Sequence, residues 1–252
     1  FADSFNVPNY LGADRYVPSL PGVDPDFESQ WAVRLQAFIQ FAQQGGLARY
    51  HFIPNAGSWV TTRDPTDYSA ADGVMIEGLA GWGYGSYFEL ADWQLQMDRI
   101  LSLARQEKII LAQQYIDPED VGERMFVLGS YLLVKGRYSY LNFEVGMLPE
   151  WFPEYGLPIG SPVDGMPENI AALWDAAWNV YRRNYTAGVV LVNPTNTTLT
   201  IHLGSTYNQA LPNGGGFVPE DGNISAWTLS YQPVTQVTLA PNRAAVLLSS
   251  VP

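Results

Sequence analysis

Ala71-Asp72-Gly73-Val74-Met75-Ile76-Glu77-Gly78-Leu79-Ala80 decides the fold. Its centre is apolar on successive residues, with Asp-Gly before it and glycines after it. A strand apolar on both faces fits a parallel sheet covered by helices. Runs of the same texture stand at residues 47–54, 108–116 and 138–145, and Phe1-Ala2-Asp3-Ser4-Phe5 reads as the tail of another. Five strands result, ending near Phe5, Pro54, Ala80, Ile116 and Val145. Because the first is met in mid-strand, the sequence is expected to be a fragment with more chain upstream.

Helix-period segments separate the strands, which is the pattern of an α/β sheet. Trp31, Leu35, Phe38 and Ala42 share one helical face, and Gly45-Gly46 ends it. A second helix is predicted over residues 86–106, with Leu90, Trp93, Met97, Ile100 and Ala104 facing the core. Asp117-Pro118-Glu119-Asp120 starts a third, with Asp117 as the capping acceptor, Pro118 at the first helical position and carboxylates at the positive dipole end. Two architectures fit the count of five: an open doubly wound sheet, or a (β/α)8 barrel whose first three strands lie outside this chain.

After residue 187 the texture changes to short Val-, Leu- and Thr-rich runs separated by Asn, Gly and Pro, as in a compact antiparallel β-sandwich. Residues 148–167 are rich in Pro and Gly, and residues 168–181 read as one more helix. The expected division is therefore an α/β region at 1–166, a linking helix at 167–186 and a β-sandwich domain at 187–252.

Composition narrows the function. With 47% hydrophobic and 13% aromatic residues, the 252-residue chain can bury a substantial core. Its 25 acidic and 13 basic residues leave a net charge of −12, which repels phosphate backbones and makes nucleic acid an unfavourable partner. No run is long and apolar enough to span a membrane. The absence of Cys and the presence of only two His, His51 and His202, leave almost nothing for a metal centre, so no cofactor is expected. Low charge combined with abundant Trp, Tyr, Asn, Gly and Thr leans toward an exported carbohydrate-active protein, with Asn184, Asn196 and Asn223 in glycosylation sequons.

Four stretches then carry a family resemblance: Phe1-Ala2-Asp3-Ser4, residues 71–78, Trp151-Phe152-Pro153-Glu154-Tyr155, and Tyr181-Arg182-Arg183-Asn184-Tyr185 leading to Val190-Leu191-Val192-Asn193-Pro194. Together they resemble hypothetical glycosyl hydrolase family 15. The resemblance implies the C-terminal part of a (β/α)8 barrel, about strands 4 to 8, followed by a small β domain. It also implies a glycoside hydrolase acting on an extracellular or cell-surface polysaccharide. On that frame the Asp-bearing first segment corresponds to the fourth barrel strand and the Glu-bearing one to the sixth. The missing strands would come from an upstream segment or a companion chain. A carbohydrate-binding or structural protein that keeps the scaffold without turnover is the alternative.

Glycoside hydrolysis needs two carboxyl groups flanking the scissile bond, and barrel enzymes place them at the C-terminal ends of strands. Asp3, Glu77 and Glu144 occupy such ends. Glu77 stands out because a carboxylate within an apolar run must be paired or protonated, which suits a catalytic acid; a structural ion pair is the competing reading. Asp3, with Ser4, Asn6 and Asn9 nearby to hydrogen-bond it, suits a nucleophile or base, unless it merely caps a turn. Asp72 enters its strand from the N-terminal side, where residues serve stability. Sugar-contacting candidates at or just after strand ends are Asn6, Tyr10, Asn55, Trp59, Trp82, Tyr84, Gln113, Tyr115 and Trp151, with Gln114 beside them, although a single Trp is more often core packing. Gly81-Trp82-Gly83-Tyr84-Gly85 lacks the Lys and the glycine spacing of a phosphate loop. His51 reads as an interior structural histidine.

Overall fold

The computed structural model describes residues 3, 5, 27–45, 48–60 and 65–251. In chain order its elements are α1 (Phe27–Gln44), β1 (Gly73–Glu77), β2 (Gly81–Gly83), β3 (Ser86–Tyr87), α2 (Leu90–Ala104), β4 (Ile109–Tyr115), α3 (Val121–Val134), β5 (Ser139–Glu144) and β6 (Glu150–Trp151). There follow β7 (Trp174–Asp175), β8 (Val180–Tyr185), β9 (Gly188–Asn193), β10 (Leu199–Asn213), β11 (Gly216–Phe217), β12 (Thr228–Leu239) and β13 (Arg243–Leu248). The fold is mixed α/β, with few helices and a large antiparallel sheet.

β1, β4 and β5 form a parallel sheet in that order. Beyond β1 the chain at Pro54 runs alongside: Met75 N–H donates to Pro54 O at 2.8 Å and Ala56 N–H to Met75 O at 2.9 Å. Phe5 N–H donates in turn to Asn55 O at 2.8 Å. The predicted strand ends thus lie side by side in chain order, three of them as regular strands and two as bonded segments. Among the described residues this is an open sheet and not a closed barrel.

Alternation sorts its side chains. Val74, Ile76, Ile110, Ala112 and Phe143 are buried in one cluster with Trp93, Met97, Phe126 and Leu133 of the helices. Met75, Glu77, Leu111, Gln113, Tyr115 and Glu144 face the other way and are only partly buried. The outer edge of β5, expected to need a companion strand, is partly capped by side chains. Odd-numbered residues of β5 point their backbone groups away from β4, and three such groups on or next to the strand are taken. Tyr131 OH donates to Ser139 O, Phe143 N–H to Tyr155 OH, and Val145 N–H to Glu150 Oε2. Such capping blunts an edge that would otherwise pair with another chain.

Helix α3 is buried on nearly every side, as its all-round apolar sequence requires. One side meets the parallel sheet. The other meets β8, β9 and β13 of a six-stranded sheet ordered β12-β10-β13-β9-β8-β7. Gly129 permits the approach. The last carbonyls of α3, which have no partner within the helix, are met by Arg183 Nη1, at 3.1 Å from Leu132 O and 2.9 Å from Leu133 O.

Several sequence expectations are corrected. The predicted sandwich of separate short strands is one sheet: β10 and β12 form a long antiparallel ribbon, irregular between His202 and Tyr207. Ile201, Leu203, Val237 and Leu239 of that ribbon join Val189, Leu191, Ala245 and Leu247 in a second apolar cluster, so one bent sheet covers its own outer face. The helix expected within 167–186 is absent. Ile170–Leu173 makes a single 3-10 turn and β7 then pairs antiparallel with β8, because Asp175 accepts from Ala177 N–H and Trp178 N–H and Asn179 takes φ +54°. α2 begins at Leu90, because positive φ at Tyr84 and Gly85 turns Ser86–Tyr87 back onto β2. The cap of α3 is Asp120, accepting from Glu123 N–H at 2.9 Å; Asp117 is spent on Glu119 N–H within the turn.

Candidate active site

The C-terminal ends of the parallel strands bring polar side chains into one line. Asn55 lies at its centre and is 3% exposed. Its Nδ2 donates to Asp3 Oδ1 at 3.0 Å and to Glu77 Oε2 at 2.6 Å, while its Oδ1 accepts from Gly57 N–H at 2.8 Å. The hydroxyl of Tyr115 donates to the other oxygen of Glu77, Oε1. Register puts Glu77 beside Gln113, and Tyr115 beside Glu144 on β5. Glu144 Oε2 accepts from Asn142 Nδ2 at 3.3 Å.

The electrostatics follow from this crowding. The hydrogen bond to Glu77, then burial and the charges of Glu77 and Glu144, push the Tyr115 phenol up to about 12. Burial, countered by the Val145 N–H and reinforced by the charge of Glu144, raises the carboxyl of Glu150. Just outside, Glu123 accepts from Gly85 N–H at 2.8 Å, and burial raises its carboxyl too. Glu123 thereby ties the β2–β3 turn to the start of α3.

Aromatic rings flank the line. Tyr84, held at φ +50°, stacks on Tyr115 with centroids 6.3 Å apart and remains 69% exposed. Trp82 is exposed with its ring edge-on to Phe88, and Trp151 is exposed edge-on to Tyr155. Such rings can meet the C–H faces of a sugar.

Of the sequence candidates, Asp3, Asn55, Glu77 and Tyr115 are joined by hydrogen bonds, and Gln113 and Glu144 stand in register beside them. Asn6 and Tyr10 lie outside the described residues, as do Ser4 and Asn9. Trp59 is not part of the rim: its ring is buried edge-on to Tyr68 with the Arg99 guanidinium over it. Gln114 is likewise on the helix-covered face, where alternation puts it. His51 is exposed, not interior, and its Nδ1 lies 3.7 Å from Asp72 at the opposite end of the sheet. There burial alone would raise the Asp72 carboxyl, but the Phe52 N–H, the Gln43 amide and His51 hold it below the usual range, which is a structural role. Sequence reasoning missed Asn142, Glu150 and the bridging function of Asn55; the first two follow the strand-end pattern, and the third needed coordinates. No three His, Asp or Glu side chains among the described residues converge as metal ligands.

No curated protein matches this chain. Among solved structures, a β-porphyranase of glycoside hydrolase family 86 from the human gut bacterium Bacteroides plebeius is similar at 11% identity and a TM-score of 0.41. The match covers 97% of this chain and 56% of that one, so the chain spans just over half the length of that enzyme. The model of hypothetical glycosyl hydrolase family 15 matches residues 1–189. With most of its 252 residues covered, including the strand ends that carry Asp3, Asn55, Glu77, Tyr115 and Glu144, the chain belongs to hypothetical glycosyl hydrolase family 15.

Proposed function

We propose that this chain is a glycoside hydrolase that cleaves an extracellular polysaccharide through Asp3 and Glu77. The observation that carries the reading is the shared donor, Asn55 Nδ2. A planar amide NH2 bonded to both carboxylates holds the two accepting oxygens about 5 Å apart, which favours the ~5–5.5 Å spacing of a retaining pair over the ~6.5–9.5 Å that leaves room for a water.

Roles follow from the hydrogen bonds. Both oxygens of Glu77 accept, from Asn55 and from Tyr115, the pattern of an acceptor-only carboxylate. That reverses the role expected from sequence and makes Glu77 the nucleophile. Asp3, exposed and accepting from Asn55, is the acid that protonates the leaving oxygen and then the base that activates water. Glu144, one strand beyond Tyr115, belongs to the substrate-facing rim. In this reading the parallel sheet is the later part of a (β/α)8 barrel at 1–166, and the β domain at 187–252 supports it mechanically.

Azide provides the test. With an aryl glycoside that the parent cleaves, Glu77→Ala plus azide should give a glycosyl azide of inverted configuration, and Asp3→Ala plus azide one of retained configuration. Parent-level hydrolysis by both variants would end the proposal. The second reading, a carbohydrate-binding protein without turnover, draws support from the open inner face of the sheet, where Tyr140 is 57% exposed. Glycan binding with no hydrolysis by the parent would favour it.

A further inference from the structure

The β2–β3 hairpin carries two of the exposed rings at the rim, Trp82 and Tyr84, and it is held from three directions. From β4, Tyr115 O accepts from Tyr84 N–H at 3.1 Å. From α3, Glu123 Oε1 accepts from Gly85 N–H at 2.8 Å. In a capping box the glutamate three residues after the cap returns to the cap residue's own N–H, but Glu123 is spent on the hairpin and on Asp117 N–H instead.

The third hold comes from the C-terminal sheet. Arg243, the first residue of β13, donates from Nη1 to Tyr87 OH at 2.8 Å. Its guanidinium lies 5.8 Å from the centre of the Tyr87 ring, which in turn meets Phe126 of α3 edge-on at 5.4 Å.

The local sequence builds that reach. Asn193, fully buried, donates from Nδ2 to Leu239 O and Ala240 O, both at 3.0 Å, and so fixes the end of β12. Asn242 then takes φ +51°, which Asn tolerates better than most residues, and turns the chain into β13 with Arg243 in register beside Asn193. Gly122 clears the path: a Cβ there would stand 2.5 Å from Arg243 Nε and 2.9 Å from its Cζ.

We infer that Arg243 is a positioning residue of the glycan site: by holding Tyr87 it fixes the hairpin so that Tyr84 and Trp82 form an aromatic platform for a sugar unit beside the one at Glu77. Tyr84 stacks on Tyr115, whose hydroxyl bonds Glu77, and with 69% of its surface exposed it stays open to the next ring of a chain. The C–H face of a sugar packs on such a ring, so the substrate class is an oligosaccharide or polysaccharide gripped on more than the unit being cleaved. This role rests on the hydrolase reading of the rim, and it gives the C-terminal sheet a part in substrate binding beyond mechanical support.

Three variants break the hold in different ways. Arg243→Met removes the donor, Tyr87→Phe removes the acceptor and keeps the ring on Phe126, and Gly122→Ala drives the guanidinium aside while adding helix propensity to α3. Amide exchange followed by NMR on the intact chain reads the hairpin with no glycan present. The Tyr84 and Gly85 amides should exchange about 10-fold faster in each variant, the scale of one hydrogen bond to a charged group, while the Ile110 amide, bonded to Tyr138 O in the parallel sheet, keeps its parent rate. Arg243→Lys, which keeps a cationic donor, should recover part of the protection. On β-glucan, β-mannan and galactan hexasaccharides and their polymers, KM for whichever the parent cleaves should rise about 2–10-fold in each variant, the scale of a lost aromatic contact, with kcat within about twofold. Parent-level exchange of both hairpin amides in Arg243→Met and Tyr87→Phe, or acceleration that extends equally to Ile110, would overturn the positioning role. Faster exchange with KM unchanged would overturn the platform, and all of these outcomes leave the hydrolase reading in place. Hydrolysis of none of the glycans by the parent would overturn that reading and the inference with it.

Discussion

Tyr115 donates its hydroxyl to Glu77 Oε1 from the neighbouring parallel strand. On the proposed role of Glu77 as nucleophile, a donor fixed on its carboxylate orients it before substrate arrives. Tyr115→Phe keeps the ring that stacks on Tyr84 and deletes only that donor, so turnover should fall about 10²-fold, the scale of one preorganised hydrogen bond, with KM little changed.

The same contact predicts a pH dependence. Folding raises the Tyr115 phenol from 10.0 to about 12, so the folded chain keeps a proton that the unfolded chain releases. This contribution to stability is complete below pH 10 and is lost as pH rises toward 12. Alkaline unfolding of the parent should therefore steepen across that window relative to Tyr115→Phe. Parallel curves would show the contact to be idle.

Arg124 and Glu154 make a buried pair, with Nε to Oε1 at 2.6 Å and Nη2 to Oε2 at 2.8 Å, on side chains 1% and 0% exposed. The pair pins the segment after β6 to α3. Glu154→Gln leaves a buried guanidinium without its counter-charge and should cost about 3–5 kcal/mol in urea unfolding. The double replacement Arg124→Met/Glu154→Leu should recover most of that loss, since apolar groups of similar volume remove the unpaired charge.

A Cβ on Gly129 would stand 2.6 Å from Ala244 Cβ and 3.0 Å from Val192 Cγ2. Gly129→Ala should therefore destabilise by about 1–3 kcal/mol through overpacking, against a helix-propensity gain of about 1 kcal/mol. Ala244→Gly added to it should relieve the clash. Unfolding midpoints of the single and double variants measure both, and a stabilised single variant would mean that α3 does not lie this close to β9 and β13.

The parallel region was legible because its physics is local. Val74-Met75-Ile76 and Ile109-Ile110-Leu111 are continuous apolar runs, which marks parallel-sheet strands, although the face bearing Met75 and Leu111 is only partly buried. Residues 168–181 misled because Ile170, Leu173, Trp174 and Trp178 repeat at helical spacing while Asp175 and Asn179 impose turns that the spacing does not reveal. The β10–β12 ribbon was cut short by its polar Asn and Gln positions, which pairing between distant residues overrides. At the rim, strand-end position picked out Glu77, Gln113, Tyr115 and Glu144, which the register brings side by side. Trp59 failed because a positive φ turns it into the core, and no residue type announces that at a non-glycine position.

Asn55 separates positioning from folding. Its Oδ1 stabilises the turn at Gly57, while its Nδ2 spans Asp3 and Glu77. Asn55→Ala removes both functions: the Gly57 N–H loses its acceptor at about 1–3 kcal/mol of stability, and the carboxylates lose their common donor. Asn55→Asp keeps an oxygen for Gly57 and puts a third carboxylate between the other two. Turnover should fall by about 10²–10³-fold in both variants, as when a preorganised donor is lost, whereas the loss from an orphaned Gly57 N–H should appear only in Asn55→Ala. Initial rates, together with the anomer released first as followed by NMR, check this. On the proposed mechanism the parent should release the retained anomer first, and a parent-level rate in Asn55→Asp would show that the bridge takes no part in the chemistry.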